Sequence, residues 1–173
     1  MAAAIEIRGL KTAFGKNVIH EDLNLTIEER AIVSIIGGSG TGKTALLRQI
    51  LGLEKPAAGE ITVLGVNRNT ATSEELYALN SRWGVLFQQG ALFSALPVFD
   101  NIALPLRELR GLPEDLVSDA VMLKLQMVGL NPADANKMPS DLSGGMVKRV
   151  ALARSLALEP DLIFLDETTS GLD

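Results

Sequence analysis

Residues 37–44, Gly-Gly-Ser-Gly-Thr-Gly-Lys-Thr, match the spacing G-x-x-x-x-G-K-[S/T] at every constrained position. They sit between a continuous apolar run, Ala31 to Ile36, and a segment of helical spacing, Thr44 to Leu51, that stops at Gly52. A strand covered on both faces, a glycine loop and a helix in that order restrict the chain to an open α/β sheet. Glycines let the backbone wrap closely round a phosphate, so that amide groups and the helix N-terminus point at the anion. The candidate contacts are Gly37, Ser39, Gly40, Thr41, Gly42, Lys43, Thr44 and Ala45. Lys43 is expected to reach the β and γ phosphates of a nucleotide, and the Thr44 hydroxyl to bind magnesium. The bland alternative is a glycine-rich turn, which the flanking strand and helix make a poor account.

The rest of the composition narrows the class. With 173 residues, 47% hydrophobic and 21% charged, the chain has the makings of one compact domain. A net charge of -5 argues against a general grip on nucleic acid, which requires a basic face. The absence of cysteine excludes a disulfide framework and points to a reducing, cytoplasmic setting. The longest apolar runs fall far short of the ~20 residues that cross a bilayer. Residues 1–10 alternate like a strand and do not resemble a signal peptide, so any membrane role is expected from the cytoplasmic face.

Along the chain, alternation over Ala4 to Leu10 and Leu23 to Ile27 predicts two strands about a turn at residues 14–17. Strands follow at Glu60 to Leu64 and Trp83 to Phe87, and Thr72 with Glu75 has capping-box spacing for a short helix to about Asn80. Asp100 to Arg110 reads as a helix that Pro105 should kink or divide. Pro113 opens another that Gly129 ends, and a last helix from about Gly145 to Leu158 leads to the apolar strand Leu162 to Leu165. The expected organisation is a single domain over 1–173, with a helical subdomain at about 90–158.

Three further patterns carry chemistry. Leu142-Ser-Gly-Gly-Met146 precedes a helix, so Ser143 and the Gly144 and Gly145 amides form a second anion site, or else merely a helix cap. Leu162 to Leu165 delivers Asp166 and Glu167 at the C-terminal end of a strand, where open parallel sheets bind nucleotides. Gln88 follows the strand ending at Phe87, and Gln89 is the alternative at that place.

In this order the motifs resemble those of the ATP-binding cassette family over essentially the whole chain. The resemblance implies a P-loop NTPase fold with an antiparallel β subdomain, a mainly parallel core sheet and a helical subdomain. It also implies ATP and Mg2+ as ligands. Asp166, Thr44 and Gln88 would hold the metal, Glu167 would polarise the attacking water, and Phe14 would stack on adenine, unless it is a core phenylalanine. Two cassettes would meet head to tail, with Ser143, Gly144 and Gly145 of one capping the nucleotide held by the other, and Ser170 to Asp173 would form the loop crossing that interface. Two departures stand out: Thr168 replaces the family's usual proline, and the sequence ends at Asp173, before the family's switch histidine. The expectation is therefore an incomplete C-terminus and a form that binds ATP with magnesium yet hydrolyses it weakly.

Leu86 to Glu108 and the Gly145-Met146 pair with Lys148-Arg149 are similar to the Mla-type branch of bacterial lipid-trafficking cassettes. That branch implies a homodimer, a separate membrane permease, an MCE-type lipid-binding protein and a phospholipid or related hydrophobic cargo, with no nucleic acid. Leu92, Phe93, Leu96, Val98 and Phe99 are candidates for an exposed groove receiving the permease, or else pack the helical subdomain. The competing reading is a soluble cassette ATPase acting on DNA or ribosomes. A GTPase is weaker, because Asn136-Lys137-Met138-Pro139 has proline where guanine reading needs an acid.

Overall fold

The computed structural model describes residues 2–87 and 90–166. Its contacts divide into two compact units, 1–79 and 80–173.

In the first unit β1 (Ala3–Phe14) and β2 (Asn17–Glu28) form a long antiparallel hairpin. Its turn falls where Gly15 takes φ +60°, and both strands run further than the alternation suggested. The reason is a bulge. Register shifts after Ile7, at Gly9 with φ +57°, turn Leu10 inward after Ile5 and Ile7, so one strand spans two phases of alternation. The strands β3 (Ala58–Val63) and β4 (Val66–Asn67) complete a four-stranded sheet in the order β2-β1-β3-β4. Its buried residues Ile5, Ile7, Leu10, Ile61 and Val63 accompany Leu46 and Ile50 of α1 (Lys43–Leu51) as the unit's core. A buried polar link joins sheet to helix, the Thr12 hydroxyl donating to Gln49 Oε1 at 2.8 Å. The helix α2 (Ser73–Asn80) begins at the expected capping box: Glu75 N–H donates to Thr72 Oγ1 at 3.2 Å and Thr72 N–H to Glu75 Oε2 at 2.7 Å.

One expectation in this unit fails. Residues 31–36 form no strand, and Ile32 and Ile36 are 100% and 93% exposed. An apolar run becomes a buried parallel strand only by bonding neighbours on its edges and lying under layers on its faces. Neither sheet among the described residues pairs with it.

In the second unit β5 (Trp83–Leu86) pairs in parallel with β6 (Leu162–Leu165), and Trp83 meets Phe164 edge to face at 6.1 Å. Phe164 is buried, but Ile163 and Leu165 are exposed, so β6 is not the fully covered strand its composition suggested. A two-stranded ladder gives an apolar strand too little cover. Three helices, α3 (Val98–Arg110), α4 (Glu114–Met127) and α5 (Gly144–Ser155), build a separate core from Val98, Ile102, Leu106, Val117, Val121, Leu125 and Val150. Pro105 does not divide α3. An interior proline costs ~3 kcal/mol, and the burial of Val98, Ile102, Ala103 and Leu106 on one helix face offsets that.

Candidate nucleotide site

The phosphate loop takes shape through its glycines. Gly40 and Gly42 adopt φ +79° and +93°, a region in which side chains are strained. A Cβ on Gly42 would also stand 2.4 Å from Ile19 Cγ2 and 2.6 Å from His20 Cε1. The Thr41 hydroxyl donates to the Gly38 carbonyl at 2.9 Å and closes the loop on itself. Across the same turn the Lys43 ammonium donates to the carbonyls of Gly37 and Gly38 at 2.7 and 2.8 Å, which holds its positive charge over the loop. The helix α1 then starts with no side-chain cap and no acidic residue in its first turn. Its first amides thus retain their capacity for an anion, reinforced by the helix dipole. Thr44 is exposed and Ala45 half-buried, while Gly37, Ser39 and Gly40 are open to solvent. This cradle suits a polyphosphate, and the exposed Thr44 hydroxyl is a hard oxygen donor of the kind magnesium takes.

Phe14 lies at the hairpin end opposite Asn17 and is 50% exposed. The core alternative for this residue is thereby removed, and half of its surface is open to solvent.

In the second unit Ser143 caps α5, its Oγ accepting from Met146 N–H at 3.2 Å. Gly144 and Gly145 are exposed, a Cβ on either would meet nothing within 4 Å, and the first turn carries no acid. Unlike the first helix start, this one spends an amide, that of Met146, on its own cap, while its Gly144 and Gly145 positions stay open to solvent. Asp166 follows β6 and is half-buried, its amide donating to the Leu86 carbonyl at 2.9 Å, so the parallel ladder fixes its backbone at the strand end. Gln88, Gln89, Glu167, Thr168, Ser170 and Asp173 lie outside the described residues.

The candidate docking segment is corrected. Val98 is completely buried in the helical core, and Leu92 and Phe99 pack against it, because α3 begins at Val98 and turns that face inward. Phe93 remains 49% exposed beside a cavity of about 490 Å³ that Trp83, Phe87 and Arg154 also line. The segment is shaped by a residue its sequence did not single out. Asn101 is fully buried, accepts from Phe93 N–H at 2.8 Å and donates to the Leu96 carbonyl at 2.8 Å, stitching residues 93–97 to α3. An asparagine among apolar helix positions was the only available signal.

Other residues too were not legible beforehand. The Arg154 guanidinium donates to the Gly90 and Ala91 carbonyls at 2.9 Å each. His20 Nδ1 lies 3.0 Å from the Thr12 hydroxyl, with the other edge of its ring against Gly42.

An antiparallel sheet, a parallel strand pair, a helical cluster and a glycine loop opening an uncapped helix define an α/β nucleotide-binding domain of the P-loop class. The model of the ABC transporter family matches residues 20–170. The chain belongs to that family. It is 47% identical over 98% of its length to the intermembrane phospholipid transport system ATP-binding protein MlaF of Haemophilus influenzae, covering 64% of that protein. It is 44% identical over its whole length to the probable ribonucleotide transport ATP-binding protein mkl of Mycobacterium leprae, covering 50% of it. The chain therefore spans about half to two thirds of these relatives. Among solved structures, the dimeric structure of MJ0796, a bacterial ABC transporter cassette, superposes with a TM-score of 0.88 at 34% identity, covering 98% of this chain and 76% of that one.

Proposed function

We propose that this domain is the ATP-binding and ATP-hydrolysing motor of a transporter for phospholipid or a related hydrophobic molecule, acting from the cytoplasmic face through a separate permease. The observation that carries the motor reading is the Lys43 ammonium held over a glycine loop that opens onto the uncapped N-terminus of α1. Lys43 and the loop amides would bind the β and γ phosphates, and Phe14 would stack on adenine. Thr44, Gln88 and Asp166 would hold magnesium, which supplies charge neutralisation at the phosphates when bound. Glu167 would orient a water and take its proton as the water oxygen attacks the γ-phosphorus and the bond to the bridging oxygen breaks, giving ADP and phosphate.

A second copy would complete the site with its Ser143, Gly144 and Gly145, in the head-to-tail pairing that the family resemblance implies. ATP would then hold two cassettes together, and hydrolysis would release them, so that the permease responds to a change in association. The proposed organisation is one cassette over 1–173, with its helical subdomain at about 90–158.

The lipid cargo rests on the resemblance to MlaF, and an MCE-type lipid-binding partner belongs to the same reading. The likeness to mkl favours a second cargo, ribonucleotides. No helix among the described residues is long and apolar enough to cross a membrane.

The test uses the full chain with its membrane partners. Lys43→Ala is expected to abolish ATP binding, and Glu167→Gln to trap an ATP-bound dimer visible by size-exclusion chromatography. Wild-type affinity in the first or a persistent monomer in the second overturns the mechanism. Phospholipid or ribonucleotide recovered with the purified complex decides the cargo.

A further inference from the structure

Arg154 lies in the last turn of α5 and is half-buried, and desolvation pushes its guanidinium below the usual arginine range. It makes no salt bridge to a carboxylate among the described residues. Its two terminal nitrogens instead take two consecutive carbonyls, Nη1 that of Ala91 and Nη2 that of Gly90, each at 2.9 Å. The same guanidinium lies 5.6 Å from the centre of the Phe93 ring. A partly desolvated cation is held most favourably where its donors are satisfied, and a planar fork can hold two adjacent carbonyls where a lysine ammonium cannot do so with fixed geometry.

A second contact comes from Gly90 itself. It adopts φ +73°, and a Cβ there would stand 3.1 Å from Val147 Cγ1 and 3.3 Å from Ala151 Cβ, so its backbone lies directly against α5. The Gly90 amide in turn donates to the Phe87 carbonyl at 2.8 Å, joining both flanks of Gln88 and Gln89. At its other end α5 begins with the Ser143 cap. A helix of this length is a rigid rod of about three turns.

We infer that Arg154 is a positioning residue, clamping the segment that follows Gln88 and Gln89 to α5, so that this segment moves with the Ser143 end of the helix as one body. The clamp itself stands on the contacts above. Its consequence for catalysis rests on the functional reading already proposed: arrival of the partner's phosphate at Ser143 would set the position of Gln88 at the magnesium of the same chain. Arg154 would touch neither nucleotide nor metal.

The experiment compares Arg154→Lys and Arg154→Gln with the wild type in the full chain, after circular dichroism has selected the variants that fold. Amide hydrogen exchange at Gly90, whose N–H donates to the Phe87 carbonyl, should rise by about tenfold or more as the local opening becomes easier. For the clamp's consequence, kcat should fall by about tenfold with the KM for ATP within about twofold, the pattern of an interaction lost after binding. The magnesium concentration for half-maximal activity should rise. Exchange that stays at the wild-type level in the folded lysine variant overturns the clamp. Raised exchange with unchanged kcat and magnesium dependence overturns the coupling. A wild type that fails to hydrolyse ATP sinks the functional reading and its coupling, while the exchange data still judge the clamp.

Discussion

Single positions decide how the phosphate loop is built, and Gly42 is the most constrained of them. Two independent demands fall on it: a left-handed backbone, and a surface against Ile19 and His20 with no room for a methyl group. The left-handed conformation alone costs an ordinary residue about 1–2 kcal/mol. Gly42→Ala is therefore expected to lower stability by at least about that amount and to weaken ATP affinity, both readable from melting curves recorded with and without ATP and magnesium. Unchanged melting in both conditions would show that the loop relaxes freely. The motif requires glycine here from its spacing, but the neighbours that enforce it come from the hairpin, more than twenty residues earlier in the chain. Lys43 is similar. Its identity was readable, whereas its hold on the Gly37 and Gly38 carbonyls is a property of the folded loop.

Among the elements, helix starts were the most legible. Thr72 and Glu75 form the reciprocal pair their spacing predicts, and Ser143 caps α5 as a serine before two glycines should. The α2 cap has a consequence in pH. Its backbone bond from Thr72, with the hydroxyl bond, holds the Glu75 carboxyl below the ordinary glutamate value. A depressed folded pKa contributes stability that is fully present above the unfolded value, ~4.3 for glutamate, and is lost as pH falls through the folded one. Glu75→Gln should accordingly flatten the acid limb of the stability profile and leave little change in its pH dependence near neutrality. Chemical denaturation between pH 3 and 7 checks this, and an acid limb of unaltered slope would contradict it. Strand reading was less secure. Alternation found β1 but missed the bulge at Gly9, and composition gave residues 31–36 and β6 more burial than they have.

For the whole molecule, stability is divided between two separate cores, that of the mixed sheet and helix unit and that of the helical unit. Ile102 is fully buried in the second core, so Ile102→Ala should cost about 2–5 kcal/mol. Because the Lys43 loop belongs to the other unit, ATP affinity should change little at temperatures where the variant is folded. Urea denaturation and nucleotide titration test the two halves of that statement, and an equal loss of both would mean that the cores are not separable. By itself the sequence determined the chemistry: the phosphate loop, the serine-glycine helix start, the acid-bearing strand and the family they define. Such motifs are local, since a turn, a cap or a strand end is fixed by residues within a few positions of one another. Only the tertiary structure decided that Phe14 is exposed, that Val98 is core, that Asn101 stitches its loop and that Arg154 grips the carbonyls of Gly90 and Ala91. Burial and long-range hydrogen bonding depend on which distant segments come together, and no local spacing records that.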